Sequence, residues 1–189
     1  MSLLNNESSK SSQRGLFAIE FALVGVFFAA LLVFTEDVVI KQSIKGKLDR
    51  LSYSLVNIVR ERTQLYNKSD QMSLAEANDL LKVATRSLKE TMGNFEEGRL
   101  GLVIEQQKFK ANLSPEPVRA NIESFKLGGY NCDPAESIDQ RIGLAPVSLL
   151  GRKVTLYQVT LCYQSDNLYG DLIGETHELV RSTSITVER

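Results

Sequence analysis

Residues 13–34 read QRGLFAIEFALVGVFFAALLVF, and the architecture of the whole chain follows from them. A polar, basic lead-in ends at Gly15. From Leu16 to Phe34 every residue is apolar or glycine except one carboxylate, Glu20. At about 1.5 Å per residue, a helix of this length matches the roughly 30 Å hydrocarbon core of a bilayer. An ionised side chain costs up to about 3 kcal/mol at the centre of such a span and less near its end, so Glu20 is a functional-site candidate. A secretory signal peptide would have a shorter apolar run closed by small residues at a cleavage site, whereas TEDVVIKQ follows here. An ordinary single-pass anchor remains the alternative, with Glu20 reaching toward the headgroups.

Arg14-Gly15 followed by Leu-Phe-Ala-Ile-Glu-Phe-Ala-Leu, with Glu20 in the fifth position after the glycine, resembles the N-terminus of type IV pilin-like proteins. More narrowly it resembles the TadE/TadF family of minor pseudopilins of the Tad (Flp) pilus system. The resemblance implies a leader, residues 1–15, removed after Gly15 by a prepilin peptidase, which frees the amine of Leu16.

Charge sets the expected orientation. Lys10 and Arg14 precede the span, while Glu36 and Asp37 follow it, so the positive-inside rule places residues 1–15 in the cytoplasm, a transmembrane helix at 16–34, and the remainder outside. In an oxidising compartment the two cysteines, Cys132 and Cys162, read as a disulfide; buried free thiols are the alternative.

With 189 residues, the chain leaves one modest domain beyond the span. Its net charge of −1, with basic residues spread along the chain, carries no electrostatic footprint of nucleic-acid binding. After the span, Ile44, Leu48, Leu51, Leu55, Ile58 and Leu65 follow three-and-four spacing, which predicts an amphipathic continuation over 35–65. If unbroken from Leu16, the rod would be about 75 Å long, with Gly25 and Gly46 as its weak points. Residues 66–189 are expected to form the head. Ser73 and Glu76 make a capping box for a second helix, whose apolar face runs through Leu74, Ala77, Leu80, Leu81, Ala84, Leu88 and Met92 before Gly93 offers a stop.

From Arg99 the period shifts toward two. Leu100, Leu102 and Ile104 alternate; Val154–Tyr163 and ELVRSTSITVER follow the same rule. Three or four strands, antiparallel, packing one face on the helices give an α+β fold. Lys126–Gly151, with its Gly-Gly, Asp-Pro and Ala-Pro pairs, reads as a long irregular excursion.

RKVTLYQVTLCYQS is the second point of resemblance, similar to the late strand of TadF rather than TadE. In that family a cysteine of this strand pairs with an earlier one, a role that falls to Cys132 here. The resemblance implies a type IV pilin-like architecture. The head would lie in the periplasm, the anchor in the inner membrane. The implied function is support of pilus biogenesis and tight adherence, with other Tad pseudopilins and pilus assembly proteins as partners and no cofactor. Glu20 would pair with the freed amine of a neighbouring subunit. The runner-up is an uncut, membrane-anchored extracytoplasmic binding or sensor domain.

Enzyme signatures are absent. The sequence lacks a G-x-S-x-G elbow, an H-E-x-x-H helix, a P-loop and a dinucleotide fingerprint, and its one histidine is His177. Asp166, Asn167, Gly170, Asp171 and Glu175 offer oxygens of the kind calcium prefers, yet Leu168 and Gly170 occupy ligand positions of the EF-hand template. A solvated turn is the better account of that cluster.

Overall fold

A computed structural model of the chain describes residues 7–61, 72–118, 123–166, 174 and 178–188, with side chains from residue 16 onward. Helix α1 spans Glu7–Arg60 and α2 spans Leu74–Thr91, followed by β1 (Leu100–Gln107), β2 (Ser124–Gly128), β3 (Leu156–Gln164) and β4 (Leu179–Val187). The fold is α+β, with a four-stranded antiparallel sheet in the order β2-β1-β3-β4. The chain divides into two compact units, Met1–Ile40 with Asn167–His177, and Lys41–Asp166 with Glu178–Arg189.

In the first unit the described residues belong almost entirely to α1. The helix runs through Gly25, where an added Cβ would meet nothing within 4 Å. Its apolar window is unburied and is long and apolar enough to cross a membrane.

In the second unit the remainder of α1 lays Ile44, Leu48, Leu51, Leu55, Val56 and Val59 on the core, while Ile58 stays exposed and Leu65 lies outside the described residues. Ile58 was expected on that face. A helix turns 3.6 residues per turn, so a stripe drawn at strict 3.5 spacing drifts by about 20° per heptad. By the last turns the buried face has moved to Val56 and Val59.

Helix α2 begins as its capping box dictates, with Glu76 N–H donating to Ser73 Oγ at 3.2 Å and Ser73 N–H to Glu76 Oε2 at 2.6 Å. Ala77, Leu80, Ala84 and Leu88 are buried, but Leu74, in the first turn, is exposed. The helix stops at Met92, an extended residue whose N–H still bonds Leu88 O; Gly93 has no positive φ and is not a left-handed cap.

Alternation along the strands sends Leu100, Leu102, Ile104, Tyr157, Val159, Leu161 and Tyr163 toward the helices, where they form the main core with Phe125 and Val180. Each such side chain stabilises the fold by roughly 1.5–3 kcal/mol on full burial. The other face is covered as well, since β1 is buried along its whole length and β3 along all but its last residue. Topology explains this. Strands β2 and β3 flank β1, so the chain between them must cross over β1, and it does so on the face away from the helices. The crossing is not wholly irregular. Its first three residues, Lys126–Gly128, complete β2, and a kinked 3-10 helix occupies Ile138–Leu144. Ile138 and Ala145 pack with Leu156, Phe109, Ile185 and Val187, covering that second face.

Candidate functional site

The candidate processing and assembly residues lie in the first part of α1. Gly15 is within the helix, and Leu16 and Glu20, one turn apart, are both exposed. Glu20 has no hydrogen-bond or ion-pair partner among the described residues. Phe17, Phe21, Leu23, Val26 and Leu32 are each more than 65 % exposed, so the apolar surface surrounds the helix rather than lining one face. Soluble monomers rarely present a contiguous apolar patch of more than a few hundred Å², so this surface is compatible with a single-pass membrane anchor. Polar backbone groups are satisfied within the helix, and Thr35 Oγ1 donates back to Leu31 O at 2.7 Å.

Cys132 and Cys162 are joined by a disulfide, with Cα atoms 5.6 Å apart and a sequence separation of 30. Both are buried, together with Val103 and against Tyr130. The bond staples the start of the crossing chain to β3. Its seat is made by glycine. A Cβ on Gly101, the register partner of Cys162, would lie 2.5 Å from Tyr130 O and 2.6 Å from Cys132 Cβ. Gly128 adopts φ +100°, and a Cβ there would lie 2.3 Å from Leu100 O. The close approach of 128–132 to β1 therefore needs glycine on both sides.

Further along the same face Glu105 is buried, accepting from Gln158 Nε2 at 2.9 Å. Gln158 Nε2 also donates to Glu136 O at 2.9 Å, tying the crossing chain to the sheet. Burial raises the Glu105 pKa above the ordinary glutamate value, and the hydrogen bonds from Ile138 N–H and Gln158 only partly oppose it.

On the helix side, sequence reasoning missed a polar clasp between α1 and β4. Ser52 Oγ lies 2.9 Å from Ser182 Oγ and 2.8 Å from Ser184 Oγ, and Ser182 Oγ donates to Asp49 Oδ1 at 2.6 Å. Burial acts to raise the Asp49 pKa, but hydrogen bonds from Lys45 and Ser182 outweigh it and hold the carboxyl below its ordinary value. The available signal was the Ser-Thr-Ser run at 182–184, whose even positions share a strand face.

His177, Asn167, Gly170, Asp171 and Glu175 lie outside the described residues. Asp166 is described, and its Oδ1 accepts from Arg99 Nη1 at 2.6 Å. Among the described residues no group of three or more His, Cys, Asp or Glu is placed to hold a metal ion.

A family model described as "Putative tight adherence pilin protein F", TadF, matches residues 8–189 of the chain. Neither a curated protein nor a solved structure matches it.

Proposed function

The chain belongs to the TadF family of tight adherence pilin proteins, and from that premise we propose that it is a minor pseudopilin of the Tad (Flp) pilus machinery with no catalysis of its own. Its chemistry is that of a substrate and an assembly part. Residues 1–15 form the leader, 16–34 the membrane span, 35–65 the amphipathic continuation, and 66–189 the extracytoplasmic head. A prepilin peptidase cuts between Gly15 and Leu16 at the cytoplasmic face of the inner membrane.

Once freed, the Leu16 amine is a cation at the start of an apolar helix. Glu20 offers the matching anion. Between neighbouring helices the pair fixes axial register, because desolvation cancels much of the attraction while a misaligned pairing leaves two buried, unpartnered charges. The observation that carries this reading is the placement of Glu20 one turn beyond Leu16 on an unburied apolar helix, in a chain whose family match runs over residues 8–189.

Intact-mass measurement on membranes made with an active prepilin peptidase tests it. The expected species starts at Leu16, and replacing Gly15 with a bulky residue abolishes it. A chain that keeps Gly15 despite the peptidase refutes the pseudopilin reading.

A further inference from the structure

At the end of the sheet where Gln107 and Leu156 are register partners, two hairpins are built on one plan. In the first, Phe109 bridges Pro115, Lys110 N–H donates to Ser114 O at 2.9 Å, and Leu113 N–H donates to Lys110 O at 2.9 Å. In the second, Val147 bridges Lys153, Ser148 N–H donates to Arg152 O at 2.7 Å, and Gly151 N–H donates to Ser148 O at 2.9 Å. Each is a three-residue loop whose last residue is left-handed, a position that ordinarily calls for glycine. The second hairpin complies with Gly151 at φ +71°, but the first has Leu113 at φ +67°.

A leucine there is held against the preference of its own backbone. Its side chain is only partly covered, at 37 % exposure, while Leu149 is fully exposed and Leu150 is 86 % exposed. Turn tips normally carry polar residues or glycine. The two hairpins are neighbours at their bases, with Lys153 Nζ 5.1 Å from the centre of the Phe109 ring. Residues 108–116 and 147–153 carry Lys108, Lys110, Arg152 and Lys153 against Glu116 alone, a local charge of +3 on a chain of net −1.

Convex apolar tips need no shaped pocket in an acyl boundary, and lysine and arginine beside them meet lipid phosphates. A protein partner would instead need separate pockets for the two tips. We propose that the two hairpin tips dock the head on an anionic bilayer surface, with Leu113, Leu149 and Leu150 entering the headgroup boundary and Lys110, Arg152 and Lys153 facing phosphate. This inference does not depend on cleavage, on Glu20, or on pilus membership.

The test uses the full oxidised chain, in which Leu149→Cys supplies a single thiol for an environment-sensitive dye. The protein is placed in phosphatidylcholine nanodiscs and offered vesicles with doxyl-labelled acyl chains, made of phosphatidylcholine alone or with phosphatidylglycerol. The same labelled lipids are then used in the disc itself. Dye quenching that requires phosphatidylglycerol, in either geometry, is the expected result. Arg152→Glu with Lys153→Glu should weaken it about tenfold or more, since each cation near such a surface counts. Leu113→Gly should raise the thermal midpoint and yet weaken vesicle binding severalfold, which a merely structural leucine would not do. Absence of phosphatidylglycerol-dependent quenching in both geometries overturns the proposal. So does a brighter dye that doxyl lipid fails to quench, which would assign the tips to a protein contact, or full binding by the charge-reversed variant.

Discussion

Replacing Cys132 and Cys162 together with alanine removes the staple between the crossing chain and β3. The bond closes a loop with a sequence separation of 30. In the chain-entropy treatment such a loop restricts the unfolded chain by about 12 cal/mol/K, or about 3.6 kcal/mol at room temperature. Domains are commonly stable by only about 5–15 kcal/mol, so the loss is a large fraction of the whole. Dividing by a urea dependence of about 1–3 kcal/mol per molar gives a midpoint about 1–4 M lower. With no tryptophan in the chain, tyrosine is the natural reporter, and Tyr157 and Tyr163 are both buried in the main core. Urea titration of the full chain in detergent, followed by tyrosine near-UV dichroism, reads the head without the signal of the membrane helix. Hydrogen exchange should show the first loss of protection in the crossing chain over Val103 and Gly101. A midpoint lowered by less than about 0.5 M, with dichroism intact, would refute the claim that the bond stabilises the head.

Glu105→Gln tests the buried carboxyl. Because the folded pKa is raised, the folded state binds the extra proton between the ordinary glutamate value and that raised value; the contribution is complete below the former and lost as pH rises through the latter. Wild-type stability should therefore fall with rising pH across that window relative to the variant, and parallel urea-midpoint profiles would count against it. Gly128→Ala forces a Cβ against Leu100 O and strains a left-handed backbone, so the head should lose about 2–4 kcal/mol in the same titration. Glu20→Leu should insert in the membrane in normal amounts, since it removes a charge that lipid disfavours, while cross-links to pilus-system partners and surface fibres decline. Wild-type fibres and cross-links in that variant would end the pairing argument.

Local chemistry made some of the fold legible in the sequence. Ser73 and Glu76 mark the start of α2 because both halves of a capping box lie within four residues, and Leu156–Gln164 has enough alternation to declare a strand. Strand β2 was less visible because SFKLG is short, and of its side chains only Phe125 is deeply buried. The covered second face was hidden for a different reason. Gln107, Gln158 and Thr160 look like solvent-facing members of an alternating pattern, yet they are interior, Gln107 donating to Glu116 O, Gln158 to Glu136 O of the crossing chain, and Thr160 paired with Thr183 of β4. Of the candidate site, Gly15, Leu16 and Glu20 are read from their order alone, and the structure adds the exposure of the last two. The clasp of Ser52 with Ser182 and Ser184 joins residues about 130 positions apart, beyond the reach of any local pattern.

That clasp leaves β4 with an unusual kind of ambiguity. Its helix-facing positions run Val180, Ser182, Ser184, Thr186, three hydroxyls in succession at a two-residue interval. Sliding the strand by two residues toward its own N-terminus would put Ser184 where Ser182 stands and Thr186 where Ser184 stands, with Ser52 still supplied with hydroxyl partners. The hydroxyls thus act like the evenly spaced marks of a scale, which show alignment but not the origin. A zero point must come from a position that is chemically distinct, and Val180, buried opposite Tyr163, is the only apolar member of the series. Val180 at the head of the strand, together with Ile185 and Val187 on its opposite face, therefore decides which placement the final strand adopts, a choice that the serine and threonine hydroxyls of the helix-facing series do not make.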